Sequence, residues 1–115
     1  MSVTIYHNPR CSKSRQALSI VEDKGIAPNI VEYLKTPLNE AEIKALAVLL
    51  GTKNAPRAMM RIKEDDYKNN NLKDADNDAL FKAMANYPKL IERPIIVRDG
   101  KAVIARPPEK ALDLL

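Results

Sequence analysis

The feature that most constrains this chain is a strand, a helix and a second strand held within its first third, with one cysteine at the first junction. Val3 to Tyr6 is a short apolar run of strand type, and Ala17, Leu18, Ile20 and Val21 carry the helical spacing that follows. Gly25 stands just past that pattern, where a helix needs a residue tolerant of left-handed backbone. Asn29-Ile30-Val31-Glu32-Tyr33-Leu34 reads as the second strand. Elements of these lengths close as a right-handed crossover with the two strands parallel. The strand-to-helix turn, and Cys11 with it, therefore falls at the carboxyl edge of the sheet, where open α/β sheets hold their ligands.

The remaining chain adds helices and then a hairpin. Asn39, with Glu42 three residues on, has the pattern of a capping box and predicts a second helix with Ile43, Leu46, Ala47 and Leu50 on one face, ending at Gly51. A third helix is expected from Asn54-Ala55-Pro56, carrying Arg57 and ending near Arg61. Asn69-Asn70-Asn71 reads as a turn, and Asp76 or Asn77 caps a helix through Leu80, Phe81 and Met84 that stops before Pro88. Ile95-Ile96-Val97 and Ala102-Val103-Ile104 flank Asp99-Gly100, the dipeptide of a type I′ hairpin. Pro107-Pro108 opens a terminal helix whose expected buried stripe is Ala111, Leu112 and Leu115. The order β-α-β, helices, β-β-α predicts an α/β protein with a four-stranded mixed sheet covered by helices, the thioredoxin-like arrangement.

The 115 residues, 45% hydrophobic and 30% charged, suit a single domain over residues 1–115. Met1-Ser2-Val3 begins no leader, no window reaches membrane-span length, and a lone cysteine forms no internal disulfide; a cytoplasmic protein is expected, with no membrane contact. The net charge of +4 comes from lysines interleaved with Asp and Glu, and four tyrosines, one phenylalanine and no tryptophan offer no stacking row. This reads as a solvated mixed-charge surface, not a nucleic-acid face. No metal site and no bound cofactor are expected, and the molecule is expected to be a monomer.

A buried lone cysteine is usually a small hydrophobe. Cys11 instead stands among Pro9, Arg10, Ser12 and Lys13, poor company for a core. At a helix start, unpaired amides and the helix dipole favour the thiolate, and His7, Arg10, Lys13 and Arg15 add cationic character. From an ordinary value of about 8.5, a depression of one or two pH units leaves a thiol substantially ionised at neutral pH. Ser14 occupies the second position of a Cys-x-x-Cys pair, so no local disulfide can close. A phosphatase cradle would need arginine six positions after the cysteine, where Ala17 stands. Arg61, Arg93 and Arg106, each beside loop-forming residues, are candidate oxyanion ligands because a guanidinium fork matches a tetrahedral anion. Taken singly, each also reads as a surface residue. Arg93 and Arg106 each precede a proline that restricts them to extended backbone, and both lie at the hairpin end opposite Asp99-Gly100, within reach of one spot beside Cys11.

These residues together resemble the glutaredoxin-coupled arsenate reductase family, ArsC, including its YfgD-type members. The resemblance runs over essentially the whole chain and rests on Ile5 through Arg15, Arg57-Ala58-Met59-Met60-Arg61, Glu92-Arg93-Pro94-Ile95-Ile96-Val97 and Arg106-Pro107-Pro108-Glu109. It implies Cys11 as nucleophile, Arg61, Arg93 and Arg106 as oxyanion ligands, His7 as a residue that helps lower the thiol pKa, and Ser14 as the helix-start serine, with Asn8 and Arg15 in support. It implies arsenate as substrate, a thioarsenate intermediate, glutathione as co-substrate and a glutaredoxin as partner, and a cis peptide bond at Arg93-Pro94. His7 also has a plainer reading, as a hydrogen-bonded strand-end residue that orders the loop. Two other functions fit the residues: a glutathione-dependent thiol reductase with weak arsenate activity, and a regulator similar to Spx, whose usual Cys-x-x-Cys switch is missing here.

Overall fold

The computed structural model describes residues 2–115. Val3–Tyr6 (β1) is flanked in a four-stranded sheet by Asn29–Val31 (β2) and Ile95–Arg98 (β3), with Lys101–Ile104 (β4) beyond β3. β1 and β2 are parallel and the other pairings are antiparallel, so the sheet is mixed as expected. The crossover helix Ser12–Asp23 (α1) ends before Gly25, whose φ is +76°. Asp99 and Gly100, at φ +52° and +74°, make the tight connection between β3 and β4.

The chain divides into two compact units, one built from the residues up to Thr36 together with Arg93–Leu115, the other from Pro37–Glu92. In the first, Val3, Ile5 and Ile96 point from the sheet into a core completed by Ala17 and Val21 of α1, Ala105 and Ala111. Alternation along β1 places Val3 and Ile5 on this one face. Trimming Ile5 to alanine here would cost about 2–5 kcal/mol.

Two expectations fail in this unit. β2 stops at Val31 instead of running to Leu34, because the Lys35 and Thr36 amides both turn back to the Glu32 carbonyl, at 2.9 and 3.1 Å. The terminal segment Pro108–Leu114 is a 3₁₀ helix. Its three-residue period aligns Pro108, Ala111 and Leu114 inward and leaves Leu112, expected in the buried stripe, 46% exposed. Leu115 does pack, partly buried, against the core. The Arg93-Pro94 peptide bond is cis, and so is Arg106-Pro107.

In the second unit Glu40–Leu50 (α2) starts at a reciprocal cap: the Glu42 amide donates to Asn39 Oδ1 at 2.8 Å and the Asn39 amide to Glu42 Oε1 at 2.9 Å. It packs on Asn77–Asn86 (α4), capped by Asp76, through Ile43, Leu46 and Ala47 against Leu80, Phe81 and Met84. Between them lies a short helix Asp65–Asn69 (α3), which the sequence reading lacked. The helix expected to carry Arg57 to Arg61 is a single 3₁₀ turn, Pro56–Met59. The Met60–Ile91 bridge replaces its continuation, with the Arg61 amide donating to the Leu90 carbonyl at 2.7 Å and the Glu92 amide to the Met59 carbonyl at 2.8 Å. Arg61 therefore sits in extended pairing, not at a helix end. No helix among the described residues is long and apolar enough to cross a membrane.

Candidate active site

Parallel pairing of β1 and β2 brings the chain out of β1 at the sheet's carboxyl edge, and residues 7–11 form the turn into α1. The Cys11 amide donates to the Asn8 carbonyl at 3.0 Å, and Asn8 Oδ1 accepts from the Arg10 amide at 3.0 Å. Arg15 Nη1 reaches back to the Pro9 carbonyl at 2.9 Å. The turn is thus braced from both sides, with Cys11 as the N-cap of α1 and its thiol partly exposed.

Burial pushes the Cys11 thiol up, but opposing contributions outweigh it and the thiol lies below its ordinary range. These are the Ser14 amide, the Arg93 guanidinium and the Lys13 amide, all favouring the anion. Lys13 acts through its backbone, so the guanidinium that contributes comes from Arg93, just ahead of β3, and not from the basic residues next to the cysteine in sequence.

His7 and Ser14 are buried, at 5% and 0% exposure, with His7 Nδ1 2.6 Å from Ser14 Oγ. Ser14 Oγ also accepts from the Asn8 amide at 3.1 Å. Burial lowers the His7 pKa, with Glu32 opposing and Arg15 assisting, so the imidazole is neutral near pH 7. Burial therefore works against the cationic help expected of His7. Its observed part is to fix Ser14, and through Ser14 the Asn8 amide, in the loop under the sulfur.

Arg93 and Arg106 face each other across the base of the hairpin. The Ala105 amide donates to the Pro94 carbonyl at 2.9 Å, and Arg106 Nη1 to the Arg93 carbonyl at 3.1 Å. Arg93 Nε is buried with no hydrogen-bond partner among the described residues. A buried guanidinium N–H left unpaired is costly, and this one is open to an acceptor that reaches it. Cys11, His7, Asn8, Ser14, Arg15, Arg93 and Arg106 all belong to the first unit; Arg61 belongs to the second, where its Nη1 lies 3.2 Å from Glu64 Oε1.

Glu32 escaped the sequence reading. The last registered pair is Tyr6↔Val31, and the His7 amide donates to the Val31 carbonyl at 2.9 Å, so Glu32 follows directly after the rung that His7 closes. A cleft of about 230 Å³ beside the loop is lined by residues 7–10 together with Glu32, Leu34 and Lys35. What the arrangement can do is hold a thiolate ready and place a cationic fork against an anion brought to it.

Fold and site define a thioredoxin-like protein with a single activated thiol and no resolving partner sulfur. The ArsC family model matches residues 6–114, and the chain belongs to the ArsC family. It is 50% identical to YfgD of Escherichia coli (strain K12), described as uncharacterized, over 98% of this chain and 96% of that one. It is 47% identical to the arsenate reductase of Haemophilus influenzae (strain ATCC 51907 / DSM 11121 / KW20 / Rd) over the whole of both chains. A solved structure named arsenate reductase from Vibrio cholerae superposes with a TM-score of 0.95 at 53% identity, covering 100% of this chain and 98% of that one.

Proposed function

We propose that this protein is an arsenate reductase that draws its electrons from glutathione and a glutaredoxin in the cytoplasm, working as a monomer. The observation that carries this reading is the buried, unpaired Arg93 Nε on the same guanidinium that favours the Cys11 thiolate. One cation thus serves both nucleophile and incoming anion, which suits a reaction between two negative species. The names of the Haemophilus and Vibrio relatives support arsenate as that anion.

The Cys11 thiolate attacks arsenic of arsenate, forming an S–As bond as one oxygen leaves as water after protonation. Arg93 and Arg106 offset the negative charge that gathers on the oxygens, and Arg61 is assigned the same task by its motif. The glutathione thiolate then displaces a second oxygen, again as water. A glutaredoxin thiolate attacks the glutathione sulfur: an S–S bond forms, the bond between that sulfur and arsenic breaks, and its electron pair stays on arsenic, taking As(V) to As(III) with Cys11 still attached. Hydrolysis releases arsenite and returns the Cys11 thiol. External thiols are obligatory because the reduction takes two electrons and one cysteine cannot cycle alone.

The test is NADPH oxidation by purified protein with arsenate, glutathione, glutaredoxin and glutathione reductase. Arsenate-dependent turnover lost in Cys11→Ser is the expected result. Equal rates in parent and variant overturn the proposal.

A further inference from the structure

The cleft on the β2 side of the active-site loop is left without a task by the chemistry above. His7 lines it while only 5% exposed. His7 Nδ1 is engaged with Ser14 Oγ at 2.6 Å inside the loop, which leaves Nε2 as the ring nitrogen with no hydrogen bond there. Around the cleft stand Arg10 and Lys35, both cationic, and Glu32, whose carboxylate lies 3.4 Å from Lys35 Nζ; Pro9 and Leu34 supply apolar wall.

We propose that this cleft seats the α-amino acid end of the peptide thiol that reduces the Cys11 adduct. The inference rests on the reading of the site as thiol-dependent. A tripeptide of the glutathione type carries two carboxylates and one ammonium. The cleft presents the mirror set: Arg10 and Lys35 for carboxylate, Glu32 for ammonium. Its volume of about 230 Å³ is below the ~300–1,000 Å³ that encloses a whole drug-sized ligand, so it takes one end and leaves the thiol end outside. Arg10, which lines the cleft, immediately precedes Cys11 in the chain, so a ligand anchored there lies beside the loop that carries the adduct.

S-methylglutathione, which binds without reacting, separates this from other placements. Titrated into the isotope-labelled full chain, it is expected to shift amide resonances at residues 7–10 and 32–35. Its N-acetylated form, lacking the ammonium, is expected to bind roughly three- to five-fold more weakly, the scale of one partly exposed ion pair, and Glu32→Gln to erase that difference. Shifts confined to the Arg93–Arg106 end of the hairpin, no shifts up to the solubility limit, or unaltered discrimination in Glu32→Gln overturns the cleft. Should glutathione drive arsenate turnover while its analogue maps elsewhere, the cleft alone fails. Should the analogue map to the cleft while glutathione drives no turnover, the reductase reading fails and the binding site stands.

Discussion

Two arginines, one in each unit, show how the same side chain can serve structure or chemistry. Arg57 spends its guanidinium on its own surroundings: Nη2 donates to the carbonyls of Leu72, Lys73 and Ala75 at 2.7, 2.7 and 2.9 Å, and Nε to Tyr67 Oη at 3.1 Å. It latches a loop in which Asn71 takes the left-handed conformation. Arg93 keeps a buried Nε unpaired, and its guanidinium favours the thiolate form of Cys11. A donor satisfied by backbone carbonyls holds a fold together, whereas one buried without an acceptor waits for something to arrive. Sequence alone does not separate them, since both sit in segments typical of the family.

Substitutions can break or sharpen that contrast. The largest effect is expected from Arg93→Ala: arsenate turnover falls roughly 10²–10³-fold, the scale of losing one preorganised donor to a developing anion, with reaction toward a neutral disulfide far less affected. The Cys11 pKa should rise in the same variant, read from the pH dependence of iodoacetamide alkylation. Equal losses in both assays would make Arg93 structural and dissolve the distinction. Arg57→Ala should reverse the pattern, costing about 2–3 kcal/mol in urea unfolding while kcat/KM holds where the protein stays folded. Activity lost without stability would contradict the latch.

The smallest effects concern His7, which bears on the thiol without touching it. Because the ring is neutral, His7→Gln should move the alkylation pKa by less than about 0.5 unit, the difference between a missing charge and a missing brace. The fold itself should report the buried ring. With the folded pKa of His7 lowered, the unfolded chain binds the proton more readily, so stability drops as pH falls below the ordinary value of about 6.5 and stops falling beneath the depressed one. Unfolding free energies across that window should slope less in His7→Gln than in the parent.

Where local chemistry decides, the fold was legible. Asp99-Gly100 at a hairpin, Asn39 with Glu42 at a cap and Gly25 past a helix each follow from backbone preferences within a few residues. Where distant partners decide, it was not. The stretch after Pro56 has helix-forming composition, yet its amide and carbonyl groups find residues 90–92, some thirty positions away, and the helix stops after one turn. Leu112 was misplaced because a 3.6-residue period was assumed where the chain winds with three. In the candidate site, the placement of Cys11 at a helix start and of the proline-flanked Arg93 and Arg106 side by side at the foot of the hairpin was readable. The protonation state of His7 was not, since it depends on burial that no local pattern announces. Nor was Glu32, whose nearness to His7 comes from pairing between strands that a whole helix separates.

Arg106 Nη1 donates to the backbone carbonyl of Arg93 at 3.1 Å, so one arginine fastens the main chain that carries the other. The tie lies just past the last registered pair of the hairpin ladder, Ile95 with Ile104. Losing Arg106 therefore removes a cation and also unbuttons one fastening of the foot on which Arg93 stands.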